Sequence, residues 1–228
     1  MRIAEARSYS NGIDFALTEK NYLISVTRDE NGKINVSREG RKLKEKRDIK
    51  NYLLIYFSLL VFTIIYINLP KTNNKLLNMI EIFAFVWGVV FAYYFVNSKN
   101  KNNASKYRYH AAEHKMLNYL ERYNEVPNNC DDVMKMNSIS LSCGSTWITV
   151  ILFVITIGAI GCSIIPWLLL KILWCIFCII ISLYLWANDK LNFFQKMILK
   201  EPTNYEIEVA IAGIKEYEKI LNEQIIRI

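Results

Sequence analysis

The chain has 228 residues, of which 53% are hydrophobic and 21% are charged, and it carries a formal net charge of +7. This mixture is typical of long apolar segments joined by strongly polar ones, and it excludes a purely soluble protein. The chain has five cysteines, an odd number, and some of them lie inside apolar runs. This pattern excludes the disulfide framework of a small secreted protein.

Residues 1–50 form a polar, basic segment in which a small β-hairpin is predicted. Segments 22–27 and 34–36 alternate apolar and polar residues on either side of Asn31-Gly32, a dipeptide typical of tight hairpin turns. Segment 13–17 follows an earlier Asn-Gly pair and could add a strand.

A basic run at 41–47 comes directly before the first apolar run. Its lysines and arginines could bind phospholipid headgroups or nucleic acid. An orientation signal for the following helix is the simpler interpretation, because Lys and Arg mark the cytoplasmic ends of membrane helices.

Four apolar runs, each with at most one charged residue, are close to the ~20 residues that cross a bilayer as a helix. These runs are 51–69, 76–96, 146–166 and 167–187. Because the links within each pair of runs are very short, the runs are expected to form two hairpins, 51–96 and 146–187. The predicted fold class is therefore a mainly α-helical integral membrane protein with four transmembrane helices.

The positive charges predict the orientation of these helices. All but three of the 28 Lys and Arg residues lie outside the hairpins, in 1–50, 97–145 and 188–228. Two hairpins place these three segments on one side, and an excess of Lys and Arg marks the cytoplasmic side. We therefore expect a multi-pass membrane protein with both termini cytoplasmic. Because the orientation of the helices accounts for the net positive charge, nucleic acid is not expected as a partner. Membrane lipids are expected as partners because the chain is predicted to span the membrane.

Three residues inside the apolar runs could carry chemistry. Glu81 could be a functional intramembrane carboxylate, although a position at the membrane interface is the simpler interpretation. Cys175 and Cys178 have C-x-x-C spacing, which suits redox or metal chemistry. Buried cysteines, however, usually behave as small apolar residues.

The segment 188–228 is predicted to form cytoplasmic amphipathic helices. Segment 191–199 is apolar on most of its surface, as in a short interfacial helix. Thr203 and Glu206 have the spacing of a capping box, which predicts the start of a second helix. Its apolar face is expected to pack on the other cytoplasmic segments and comprises Ile207, Ile211, Ile214, Tyr217, Ile220 and Leu221.

The only two histidines of the chain predict a metal site. His110, Glu113 and His114 share one face of a helix predicted over about 105–123, because positions i, i+3 and i+4 stack on consecutive turns. Two imidazoles at this spacing can bind one metal ion, and a carboxylate between them can act as general base. Cys143 lies at the start of the third apolar run. Two His and one Cys would leave a fourth position for water, as in catalytic zinc sites.

The order H-x-x-E-H is also that of the inverted zinc-peptidase motif, with both histidines as ligands and the glutamate activating water. That motif needs a further acidic ligand from a downstream helix, for which Glu206 and Glu208 are the candidates. The alternative is that the histidines only form local hydrogen bonds on an amphipathic helix.

Three motifs together resemble the YqhQ family of bacterial integral membrane proteins. They are the segment 109–115 (YHAAEHK), the Cys143-Gly144 pair, and Lys200-Glu201-Pro202 followed by 208–211. The resemblance implies a metal-dependent enzyme of a bacterial cytoplasmic membrane, without an established substrate. It also assigns functional positions to six residues, His110, Glu113, His114, Cys143, Glu201 and Glu208.

One departure from this family bears on activity. Relatives carry His-Pro-Arg before the Cys-Gly pair, where this chain has Ser140-Leu141-Ser142. The first hypothesis is a metal-dependent hydrolase in which His110, His114 and Cys143 bind a divalent metal, zinc, with Glu113 as catalytic base and Glu201 or Glu208 as further ligands. The second, which the departure favours, is a non-catalytic membrane scaffold or assembly factor that holds a membrane-protein partner.

Overall fold

The computed structural model describes residues 3–17, 22–40, 74–141 and 143–225. The first predicted membrane run, 51–69, and the basic run 41–47 lie outside the described residues. The described residues fall into two compact units. The polar unit comprises the described residues of 1–42, 93–149 and 189–228, and the apolar unit comprises those of 43–92 and 150–188.

The N-terminal segment forms an antiparallel sheet of four strands in the order β1-β2-β3-β4. These strands are β1 (Ile3–Ser8), β2 (Gly12–Leu17), β3 (Tyr22–Arg28) and β4 (Ile34–Gly40). Gly32 has a φ of 81° at the β3–β4 turn, a conformation that glycine adopts without strain. The predicted hairpin is confirmed within a larger sheet, to which β2 and β1 add.

Seven α-helices are described. They are α1 (Lys75–Lys99), α2 (Ala104–Tyr123), α3 (Cys130–Met134), α4 (Gly144–Ile164), α5 (Leu168–Ala187), α6 (Phe193–Ile198) and α7 (Asn204–Ile225). One half of the predicted capping box of α7 is formed, because Glu206 Oε2 accepts a hydrogen bond from Thr203 N at 2.8 Å. The same oxygen also accepts from Thr203 Oγ1 at 2.6 Å.

The core of the polar unit lies between the sheet and the helices α2 and α7. Alternate residues of β2 and β3 point to this core, as the period of a strand requires. The core also buries the predicted apolar face of α7. An added Cβ at Gly213 of α7 would lie 2.5 Å from the ring of Phe15, so only glycine allows this approach of helix and sheet. Fully buried core residues include Ile13, Phe15, Ile24, Val26, Tyr109, Met116, Ile207 and Ile214.

Three described helices are long and apolar enough to cross a membrane: Leu76–Lys99, Gly144–Ile164 and Leu168–Ala187. They correspond to the second, third and fourth predicted runs. The remaining predicted span, the first run (51–69), lies outside the described residues. The cytoplasmic orientation of the termini stays a prediction.

Candidate metal centre

His110, Glu113 and His114 lie on one face of α2, as their spacing in the sequence predicted. The imidazole rings of His110 and His114 lie one turn apart, with 4.2 Å between their centroids. Cys143 directly precedes α4 and is brought to the same face. Each of the three residues offers one ligand atom, and these atoms lie within 4.8 Å of one another.

Three polar side chains of α2 hold the chain segment that leads to Cys143. Lys115, Asn118 and His114 form five hydrogen bonds of 2.6 to 2.8 Å to its backbone carbonyls. The acceptors are Met134, Met136, Asn137, Ser138 and Ile139. This row of bonds aligns the segment with α2 and thereby delivers Cys143, 33 residues away from His110 in sequence, to the histidines.

The orientation of His110 depends on Glu113. His110 Nδ1 lies 3.2 Å from Glu113 Oε2, and the same oxygen accepts a hydrogen bond from the Ser8 hydroxyl of β1. A carboxylate oxygen only accepts, so Nδ1 carries the proton and donates. Nε2 therefore faces Cys143, whose Sγ lies 3.6 Å away.

Glu113 is buried, with only 4% of the residue exposed, and it is nevertheless ionised. Burial acts to raise its pKa, but the hydrogen bond and charge of His110, together with His114 and Ser8, outweigh burial and lower the pKa. Glu113 thus lies behind His110 as a buried carboxylate that binds the ring nitrogen turned away from Cys143.

The orientation of His114 depends on a backbone carbonyl. His114 Nδ1 lies 2.8 Å from the carbonyl oxygen of Ser138, which can only accept, so this nitrogen carries the proton. Its Nε2 is then the lone-pair nitrogen. In both imidazoles Nδ1 is thus bonded to an acceptor, and Nε2 is the nitrogen that would bind a metal.

Gln195 of α6 is a site residue that the sequence did not single out. Its side chain is fully buried, and Nε2 lies 3.1 Å from His114 Nδ1. Because both nitrogens are donors when His114 Nδ1 donates to Ser138, this is a packing contact and not a hydrogen bond. Its Oε1 lies 3.3 Å from the backbone N of Ser140 and 3.5 Å from Thr146 Oγ1. One buried amide thus contacts the helix that carries the histidines and both flanks of Cys143. The available signal was a lone amide in a short, mostly apolar helix.

The cluster favours a thiolate at Cys143. Burial acts to raise its pKa, but hydrogen bonds and charges from His110 and His114 lower it to about 5. For His110, burial acts to lower the pKa, but Cys143 and Glu113 raise it to about 10. Without metal, His110 therefore carries a proton on Nε2 that faces the thiolate, and a metal ion would displace this proton. The position of Cys143 at the amino end of α4 also suits a negative charge. Thiolate is the form of cysteine that binds metal.

The donor set fits zinc. Tetrahedral zinc has Zn–S of about 2.3 Å and Zn–N of about 2.0–2.1 Å, which together place a sulfur and a nitrogen ligand about 3.5 Å apart. The separation of 3.6 Å between His110 Nε2 and Cys143 Sγ agrees with this value. Thiolate sulfur and imidazole nitrogen are both ligands that zinc takes in proteins.

The two further candidate ligands lie elsewhere. Glu201 pairs with Lys115 at 2.7 Å, and Glu208 pairs with Arg28. Glu206, the other acidic candidate, caps α7. Within residues 3–17, 22–40, 74–141 and 143–225, neither Glu201 nor Glu208 belongs to the group with ligand geometry.

The structure thus defines a class: a chain with three helices apolar enough to cross a membrane and a polar unit that carries a His-His-Cys cluster. Residues 16–188 match the family described as Protein of unknown function (DUF1385), the name under which YqhQ-like proteins are known. The match covers most of the chain, which therefore belongs to this family. No curated protein and no solved structure matches the chain.

Proposed function

We propose that this protein is a metal-binding membrane protein in which His110, His114 and Cys143 hold a divalent metal, zinc. One observation carries the proposal: both histidines have Nδ1 bound to an acceptor and Nε2 left for the cluster. Metal-ligating histidines almost always have this arrangement, with a carboxylate or backbone carbonyl behind the ring.

The reaction class that this arrangement favours is metal-assisted hydrolysis. Three protein ligands leave a fourth position open, and a zinc ion bound there supplies Lewis acidity that lowers the pKa of water. Substrate would approach from the cytoplasm or along the lipid headgroups. Glu113 was predicted as the general base, but its hydrogen bonds to His110 and Ser8 favour an orienting role.

A second candidate function is a non-catalytic scaffold or assembly factor for a membrane-protein partner. It is favoured by Ser140, which stands where relatives carry a histidine and contributes no imidazole. The backbone N–H of Ser140 donates to Gln195 Oε1, so this stretch supports the site instead of adding a ligand. Under this hypothesis the metal would stabilise the polar unit without turnover.

Metal analysis of the full chain, purified in detergent, tests the proposal. We expect about one zinc per chain in the wild type and in Glu121→Ala, a matched control at an exposed position of α2. The double variant His110→Ala/His114→Ala should lose the zinc while circular dichroism shows that its helices remain. Metal-free wild type under zinc-replete conditions, or full zinc in the double variant, would contradict the proposal.

A cobalt-substituted sample separates the two candidate functions. Acetohydroxamate binds metals that have an open coordination position, so its addition should shift the visible absorption bands of cobalt if the site is of the catalytic type. Bands that do not respond would indicate a closed site and favour the scaffold.

A further inference from the structure

Two cysteines of the apolar unit lie in contact across neighbouring helices. Cys162 is near the end of α4, Cys175 is in the first half of α5, and their Sγ atoms are 3.5 Å apart. The sequence had drawn attention to Cys175 and Cys178 because of their spacing. The structure instead pairs Cys175 with Cys162, while Cys178 is buried.

The residues preceding this pair explain the close approach. Gly161 and Trp174 lie one position before Cys162 and Cys175, and a Cβ added at Gly161 would lie 1.9 Å from Trp174 Nε1. The same indole nitrogen donates to the carbonyl oxygen of Ile157 at 3.1 Å. Because Gly161 has no side chain, the indole can pack on the backbone of α4. Contacts of Trp174 with the backbone of α4 thus bring the two thiols next to each other, and these contacts do not involve sulfur.

We propose that Cys162 and Cys175 form an intramolecular disulfide that links α4 to α5. A disulfide needs an S–S distance of about 2.05 Å, so the two sulfur atoms must approach each other from their separation of 3.5 Å. The pair lies outside the His-His-Cys cluster, so the result of the metal experiments has no bearing on it.

The oxidant is a disulfide, and the reaction is thiol–disulfide exchange. The thiolate of one cysteine attacks a sulfur of the oxidant, which forms a mixed disulfide and releases one thiol. The second cysteine, after losing its proton, attacks the protein sulfur of the mixed disulfide and releases the second thiol. Overall, two protein thiols are oxidised to one disulfide, and the oxidant disulfide is reduced to two thiols.

The predicted orientation supports this chemistry. It places the turn between α4 and α5 on the side away from the cytoplasm, and Cys162 is only two residues from the end of α4. Disulfides persist on that side of a bacterial membrane, whereas cytoplasmic reductants remove them. The bond would close the short segment that contains Pro166 and fix the two helices against each other.

Treatment of the full chain in detergent with dithiodipyridine, a membrane-permeant disulfide, tests the proposal. Intact-mass and fragmentation spectra should show wild type with a bond between Cys162 and Cys175 and the loss of two free thiols. The bond should persist in Cys178→Ser, the matched control on α5, and be absent from Cys162→Ser and from Cys175→Ser.

Three results would overturn the proposal: a bond between Cys175 and Cys178, a disulfide between two chains through the exposed Cys175, or probe adducts alone on both cysteines of the wild type. The wild-type spectrum decides among these results without any variant, so poor folding of a serine variant does not obscure the answer. Acid-quenched cells, alkylated before lysis, show in addition whether the bond exists before purification.

Discussion

At the scale of single residues, the candidate site is a cysteine thiolate that faces two imidazoles. Each imidazole is oriented by a hydrogen bond at its Nδ1 atom. Ser8 binds Glu113, Glu113 binds His110, and the carbonyl of Ser138 binds His114. Groups behind the ligands of a metal typically change its affinity by 10–100-fold. These residues are therefore where substitutions test the site most directly.

Glu113→Gln tests whether Glu113 orients His110 or acts as a base. An amide is a weaker acceptor than a carboxylate, so we expect a loss of zinc affinity of about 10–100-fold. Ser8→Ala should have a smaller effect in the same direction, because it removes a partner of Glu113 and not of His110. Zinc affinity is measured by competition with a chelating dye, and unchanged affinity in Glu113→Gln would leave the general-base role as the better explanation.

Gln195→Leu tests the buried amide. Leucine has a similar volume, so packing is retained, but the backbone N–H of Ser140 loses its acceptor and the flank of Cys143 is released. We expect zinc affinity to fall by about 10-fold or more. The cobalt–thiolate charge-transfer band should shift as well, which a purely structural role would not predict. Lys196→Leu, an exposed neighbour, is the control.

The pH dependence of alkylation tests the ionisation of Cys143 in metal-free protein. A lowered pKa of about 5 means that the reactive thiolate is present above that pH. Its reaction rate with iodoacetamide should thus be constant from neutral to alkaline pH and fall only as the pH drops through about 5. Cys130 is the internal comparison: burial raises its pKa, so its rate should rise with pH throughout the alkaline range. A Cys143 rate that rises like that of Cys130 would refute the pair with His110.

At the scale of elements, the decisive contact is the row of side chains by which α2 holds the segment before α4. The hydrophobic periodicity of the sequence predicted α2 and the apolar run that becomes α4, because both signals are local. Periodicity did not predict their juxtaposition, which depends on hydrogen bonds from Lys115 to Met136 and from Asn118 to Ile139, in a segment without regular structure. Polar groups on a helix face do not reveal from sequence which carbonyls they bind.

Lys115→Met tests this row. Lys115 Nζ binds the carbonyls of Met134 and Met136 and pairs with Glu201, which compensates the burial of its charge. Methionine fills the space but leaves both carbonyls without their donor, at a cost of about 1–3 kcal/mol in the free energy of unfolding. A lower Tm in scanning fluorimetry checks this, with the exposed Lys106→Met of the same helix as control. Equal Tm values for the two variants would show that the row contributes little.

At the scale of the whole molecule, the chain combines helices that suit a bilayer with a polar unit assembled from distant parts of the sequence. The sheet, α2 and α7 share one hydrophobic core. In sequence, the apolar helices interrupt the polar unit. Because one polar unit is built from three separated segments, we expect those segments to lie on one side of the membrane, as the distribution of Lys and Arg predicts.

Reporter fusions test this orientation. A fluorescent protein fused after Ile228 should be fluorescent, because it folds in the cytoplasm, and alkaline phosphatase fused after Pro166 should be active, because it needs an oxidising compartment. The two reporters exchanged between these positions serve as controls. The opposite pattern would invert the predicted topology.

The sequence by itself determined the apolar runs, the hairpin at Asn31-Gly32, the start of α7 and the shared face of His110, Glu113 and His114. Each of these depends on the spacing of residues that are near neighbours in the chain. The sequence also proposed Cys143 as a third ligand, but only the tertiary structure shows its distance to the histidines. Only the tertiary structure revealed the contacts of Ser8 and Gln195 at the site and the ion pairs of Glu201 with Lys115 and of Glu208 with Arg28. These contacts join residues far apart in sequence, and the packing of the core sets their distances.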